Sequence, residues 1–202
     1  MINSVLRVMN FASRLNQYAG VIGSEWLLPK ALETFDADPA IYEATDVFVE
    51  AGDWFVWQLV GGEAPPRSTC MAGYKACWTA EAARITAGGS SDPQELTAGM
   101  CGGLVAEMFL DSVRPGFGSS LLEKLPGLAL APGVKAGELS TAGASMLGLA
   151  KGTAVASAII DAHAGVPGAG VGGPGTMVIT MGTCSGEYVW TQNREKLPLM
   201  WV

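Results

Sequence analysis

The pattern of the sequence changes near residue 150, and that change limits the fold more than any other feature. Before it the punctuation is helical. Ser24 is placed to cap a helix with Pro29 in its first turn, and Asp38-Pro39 opens a second, short one. "VFVEAGDWFVWQLVGG" reads as a short strand followed by a helix over residues 51–59, stopped by Gly61-Gly62. Asp92-Pro93 opens a longer helix running to about Val113. Residues 114–137 read as a connection holding a short helix at Leu121–Leu125, and Ser140 or Thr141 caps a helix that ends near Gly148. After residue 150 "TAVASAII", "TMVITM" and "EYVWTQ" read as three strands separated by glycine-rich turns. Helices first and strands last predict a mixed α/β chain whose domains meet near that point, residues 1–150 and 151–202.

Two segments carry less pattern. Residues 1–22 form a weak helical candidate, and "APPRSTCMAGYKACW" is so broken by Pro and Gly that it reads as extended or looped. At 202 residues with 49% hydrophobic and 15% charged side chains, the chain can bury a substantial core. Its net charge of −7 disfavours a nucleic-acid or anionic-membrane surface while leaving room for a local anion site. Four cysteines without a CxxC pair and a single histidine fit none of the common zinc patterns, so no metal site is expected from protein ligands. Reduced thiols, the interrupted apolar character of the first twenty residues and the lack of a membrane-length apolar run predict a soluble, cytoplasmic protein.

Three motifs compete for the chemistry. Gly168, Gly170 and Gly173 spell G-x-G-x-x-G, but a strand pattern follows where the dinucleotide fingerprint needs a helix, and that reading is rejected. "GTCSG" has the form of a nucleophile elbow with Cys184 in the serine position, although the only histidine, His163, precedes it in the chain. The third is "IIDAHAGVPGAG", in which an apolar run stops at Asp161 and bulk is avoided afterwards. Asp161 at the end of a strand is placed to act as a general base, with His163 alternating to the opposite face. Taken alone, such an aspartate is more commonly the start of an Asx turn. Some twenty residues on, Gly182 and Thr183 follow a strand in a turn whose backbone N–H groups suit phosphate oxygens. A base and a phosphate-type turn together suggest phosphoryl transfer to a hydroxyl.

The stretch "GLAKGTAVASAIIDAHAGVPGAGVGGPGTMVITMGTCSGEYV" resembles the interdomain segment of the FGGY carbohydrate kinases. "SEWLLPKALE", "VEAGDWFVWQLVGG", "CMAGYKACW" and "APGVKAGELS" extend the likeness over most of residues 20–190, and the pair "GYKACW" and "IDAHAG" is most like the ribulokinase branch. The resemblance implies two actin-like (ribonuclease-H-like) domains, with the sugar and ATP, accompanied by Mg2+, meeting between them. Carried over, Asp161 would deprotonate the sugar hydroxyl, Lys75 would join it in binding the sugar, and Gly182 and Thr183 would belong to a phosphate-binding turn. His163 would be a neighbour of the base. Cys184-Ser185 stands where the family commonly has Ser-Thr.

Family members are much longer. The resemblance therefore implies the rear of the first domain and the opening strands of the second, without the acidic D-x-G-T turn that positions nucleotide and metal. The expected activity is ATP-dependent phosphorylation of a sugar, L-ribulose or a related ketopentose or polyol, with the isolated chain incomplete for it. A non-catalytic truncated kinase is the alternative, and a hydrolase built on Cys184 a further one. Homo-oligomer formation is left open.

Overall fold

In a computed structural model of the protein, the structure describes residues 22–79, 103–104, 107–182 and 186–189. They divide after Ala158 into two compact units. The helix expected within residues 1–22 lies outside the described residues apart from Ile22, as does most of the segment 92–106.

The first unit begins with α1 (Leu27–Ala37) and α2 (Pro39–Ala44), joined at Asp38. Asp38 caps α2 by accepting the Ile41 N–H at 3.2 Å, with Pro39 at the first helical position, as the sequence predicts. Pro29 does lie in the first turn of α1, but Trp26 and not Ser24 occupies the cap position. α3 (Ala51–Val60) ends at Gly61, whose φ of 77° ordinary residues avoid. The strand expected before it does not form. Phe48 instead donates one backbone hydrogen bond to the Lys124 carbonyl, at 2.9 Å.

β1 (Arg67–Ser68) and β2 (Ala129–Leu130) pair in parallel. Between them lie α4 (Thr69–Lys75), α5 (Glu107–Val113) and α6 (Phe117–Glu123). α5 and α6 close the core. Phe109, Leu110, Phe117, Leu121 and Leu125 are buried against Leu28 and Ala31 of α1 and Ala72 of α4. Their approach needs Gly118, because a Cβ there would collide with the Glu107 carbonyl. The expected connection over 114–137 therefore holds more structure than its sequence shows, with its helix starting at Phe117.

β3 (Lys135–Glu138) and β4 (Ala154–Ala156) form an antiparallel pair on either side of α7 (Thr141–Leu147). Ser140 caps α7 through the Gly143 N–H at 3.0 Å, and Gly148 ends it in the left-handed conformation, both as expected. β4 stays with the first unit because it pairs backward with β3. Ser157 then anchors its end, donating to Ala131 O and Val134 O.

The second unit holds α8 (Asp161–Gly168) and the antiparallel pair of β5 (Met177–Thr180) and β6 (Gly186–Val189). The last two expected strands are present. "TAVASAII", however, supplies only a three-residue strand, and the segment after it is helical rather than turn-like. α8 buries none of its residues, so no apolar stripe of helical period marks it in the sequence.

Candidate functional site

α4 places Lys75. Its first turn is fixed by Ser68, whose hydroxyl accepts the Cys70 N–H at 3.2 Å. This cap converts a Pro- and Gly-broken segment into a helix, so Lys75 ends a helix and does not lie in the expected loop. Behind it the chain turns through Cys77, buried at φ 55°, and the Trp78 amide reaches back to Ala72 O at 3.1 Å. A non-glycine residue held in that region is uncommon and is paid for by packing. Tyr74 lies against Trp26, ring centroids 5.1 Å apart, and the Lys75 ammonium stands 5.1 Å from the Tyr74 ring centre.

A buried polar cluster supports this helix. Asp53, in the first turn of α3, accepts the Ser68 N–H at 2.9 Å and is 2% exposed. Burial pushes its carboxyl up to about 6, against the lowering effects of the Ser68 N–H and the Arg67 charge, with Glu50 adding to the rise. Arg67 is wholly buried and donates to Pro126 O and Phe48 O, both at 2.7 Å. Burial also raises Glu50, and the charges of Lys75 and Arg67 oppose that rise. Gly52 lies where α3, α4 and the end of β4 converge, since a Cβ there would strike Met71 and crowd Ala158. Sequence reasoning missed Glu50, Asp53 and Arg67. The signal was the Glu-x-x-Asp spacing at the head of an apolar helix, followed by "RST".

Asp161 is the first residue of α8, not the last of a strand, and it is exposed. An acidic residue suits a helix N-terminus, where unpaired N–H groups and the helix dipole favour negative charge. One carboxylate oxygen accepts the Ala162 N–H at 2.7 Å, which fixes the side chain's orientation. His163 lies two positions on along the helix, not on an alternating strand, and such positions do not face each other. Its ring packs edge-on against Tyr188, centroids 5.4 Å apart. Burial lowers its pKa, the nearby Asp161 charge opposing the shift, so at neutral pH the imidazole is neutral. Gly182 follows β5, as the phosphate-turn reading requires, whereas Thr183 and Cys184 lie outside the described residues. Gly168 ends α8, and Gly170 and Gly173 follow it on the way to β5, the wrong context for a dinucleotide fingerprint.

The structure thus joins Lys75 to the Glu50–Asp53–Arg67 cluster in one unit and Asp161 to His163 in the other. Among the described residues, no three His, Cys, Asp or Glu side chains are grouped to hold a metal, and no helix is long and apolar enough to cross a membrane.

Comparison with known proteins decides the relationship. The chain is 40% identical over 169 residues to the ribulokinase of Shouchella clausii, covering 84% of this chain and 26% of that protein. It is 34% identical over 186 residues to the ribulokinase of Bacillus licheniformis, covering 92% and 30% respectively. The similarity is to ribulokinases. The Mycolicibacterium smegmatis ribulokinase matches at 35% over 169 residues, again 84% of this chain and 26% of the relative. The chain therefore spans only 26–30% of the length of the ribulokinases it matches. No protein-family model matches it.

Proposed function

We propose that this chain carries the sugar-binding part of an actin-like carbohydrate kinase of the cytoplasm, acting in the phosphorylation of L-ribulose to L-ribulose 5-phosphate by ATP. The observation that carries the reading is the 34–40% identity to ribulokinases along 84–92% of the chain. In this reading residues 1–150 come from the first kinase domain and residues 151–202 open the second, a division supported by the separation into units after Ala158.

Asp161 takes the proton of the sugar hydroxyl as that oxygen attacks the γ-phosphorus; the phosphoryl group passes to the sugar oxygen and ADP leaves. The Ala162 N–H holds one carboxylate oxygen, leaving the other for the substrate hydroxyl. Lys75 donates to the sugar's oxygens from the end of α4, with Glu50 balancing its charge. Gly182 and Thr183 offer backbone N–H groups to phosphate. Magnesium arriving with ATP would supply charge neutralisation for the transferring phosphoryl group. The described residues offer no ready-made cage for it.

The test places residues 22–189 of this chain in the Shouchella clausii ribulokinase, in place of its matching segment. With ATP and magnesium the chimera should form L-ribulose 5-phosphate, while the isolated 202-residue chain should not turn over at a useful rate. A folded chimera without activity would remove the proposal.

A further inference from the structure

α4 is seven residues long, too short to stand as an isolated helix, so its surroundings decide where Lys75 is presented. The strand before it supplies one fixed point. In β1 the Arg67 N–H donates to Leu128 O at 2.9 Å, on the side of β2. Successive N–H groups along a strand point to opposite sides, so the Ser68 N–H points away from β2, where a further strand would accept it. Among the described residues this sheet is only two strands wide. Asp53 Oδ1 takes the missing strand's place, 2.9 Å from the Ser68 nitrogen.

Both partners are enclosed, Asp53 at 2% exposure and Ser68 completely. A buried N–H without an acceptor costs free energy, so the carboxyl is what lets the chain leave β1 at this point. Ser68 is also the cap of α4, its hydroxyl accepting the Cys70 N–H at 3.2 Å. One residue therefore ties the first turn of α3, through the Asp53 side chain, to the first turn of α4. The two helices also meet beside that tie, since a Cβ on Gly52 would strike Met71.

Lys75 lies seven residues beyond Ser68, at the far end of α4. At about 1.5 Å per residue that is a lever of about 10 Å, so a tilt of about 6° at its start moves the Lys75 backbone by about 1 Å. A displacement of about that size is enough to impair a group that must meet a substrate in a set geometry.

We propose that Asp53 is a positioning residue for Lys75: by accepting the Ser68 N–H it sets the start of α4 and, through the helix, the place from which the Lys75 ammonium meets the substrate. This rests on the sugar contact assigned to Lys75 above and gives a buried carboxyl, which touches no substrate, a part in substrate affinity.

Two variants separate the acceptor from the charge. Asp53→Ala removes both, whereas Asp53→Asn removes the charge and keeps an oxygen for the Ser68 N–H. In amide-resolved NMR of the full chain, Asp53→Ala should shift the amides from Ser68 through Lys75, and Asp53→Asn should leave those of Tyr74 and Lys75 near their parent positions. In the ribulokinase chimera, Asp53→Ala should raise the KM for L-ribulose about fivefold, with kcat and the KM for ATP within about twofold, and Asp53→Asn should restore it. A loss of folded enzyme alone would lower kcat and leave KM unmoved. Lys75→Met should raise the same KM, and Asp53→Ala added to it should raise it no further. Where Asp53→Ala does not fold, Ser68→Ala, which removes the cap at the same end of α4, should raise the KM about threefold. The proposal is overturned if Asp53→Ala leaves the Lys75 amide unmoved, if Asp53→Asn behaves like Asp53→Ala, or if the folded variants keep the parent KM while Lys75→Met raises it. An unchanged KM in Lys75→Met would instead remove the sugar contact of Lys75, and with it the part of Asp53 in affinity.

Discussion

The core around Phe117 and the strand pair around Ile179 contain similar kinds of side chain but treat them in opposite ways. In the first unit Phe117, Leu121 and Leu125 are completely enclosed, and the polar groups of Asp53, Ser68 and Arg67 are buried among hydrogen bonds. In the second, Met177 and Ile179 occupy alternate positions on one face of β5 and are about half exposed, with Met181 just beyond them more exposed still. Among the described residues there, Val171 is the only buried apolar side chain. The first unit is held by packing, the second by its strand ladder, the helix α8 and the ring contact between His163 and Tyr188. Yet Asp161, the base in the proposed function, belongs to the second. In that proposal the base and the buried core are carried by different parts of the chain.

The strongest way to break this comparison is to remove packing from the first unit. Phe117→Ala should cost about 3–5 kcal/mol in urea denaturation, because the ring is wholly enclosed and little around it can collapse. A loss below about 1 kcal/mol would mean that the core is not what holds the unit.

The buried carboxyl gives the next largest effect. With Asp53 raised to about 6 in the folded chain, the folded state binds a proton that the unfolded chain releases above its ordinary value of 3.8. Its contribution is complete below that lower value and is lost as pH rises through about 6. A shift of this size corresponds to roughly 3 kcal/mol. Unfolding free energy should therefore fall between pH 4 and 7, and Asp53→Asn should flatten most of that slope while keeping an acceptor for the Ser68 N–H. Glu50, raised by burial as well, leaves a residual slope of the same sign. An unchanged pH profile in the variant would contradict the assignment.

Ser140→Ala should cost about 1 kcal/mol through loss of the α7 cap, measured in the same denaturation assay. The smallest effect is expected from Ile179→Ser. That side chain is 51% exposed, and its replacement should change the chain's stability by no more than about 0.5 kcal/mol. A large loss would show that the outer face of β5 is covered in solution, and the contrast between the units would narrow.

Legibility cut across that divide, since β5 and β6 were read correctly in the second unit and α4 was missed in the first. Asp38-Pro39, the Ser140 cap and the Gly61 and Gly148 stops announce helices locally, because each is a backbone requirement met by one or two residues. α4 was hidden because Ser68 caps it immediately behind Pro65-Pro66, and the prolines dominate the reading. α8 was hidden for another reason: a helix of small residues with no buried face has no period to detect. Asp161 and Lys75 were singled out through motif resemblance. The supporting Glu50–Asp53–Arg67 cluster was not, since Arg67 comes from β1 and joins the two carboxylates at the head of α3 only in the folded chain.

The central claim, that Asp161 is the base of a sugar kinase, is tested most directly in the ribulokinase chimera carrying Asp161→Asn. Steady-state kinetics with L-ribulose should show kcat lowered by roughly 10²–10⁴-fold, the usual contribution of a positioned base, while the KM for the sugar stays within about twofold. A kcat within about twofold of the unsubstituted chimera would contradict the account.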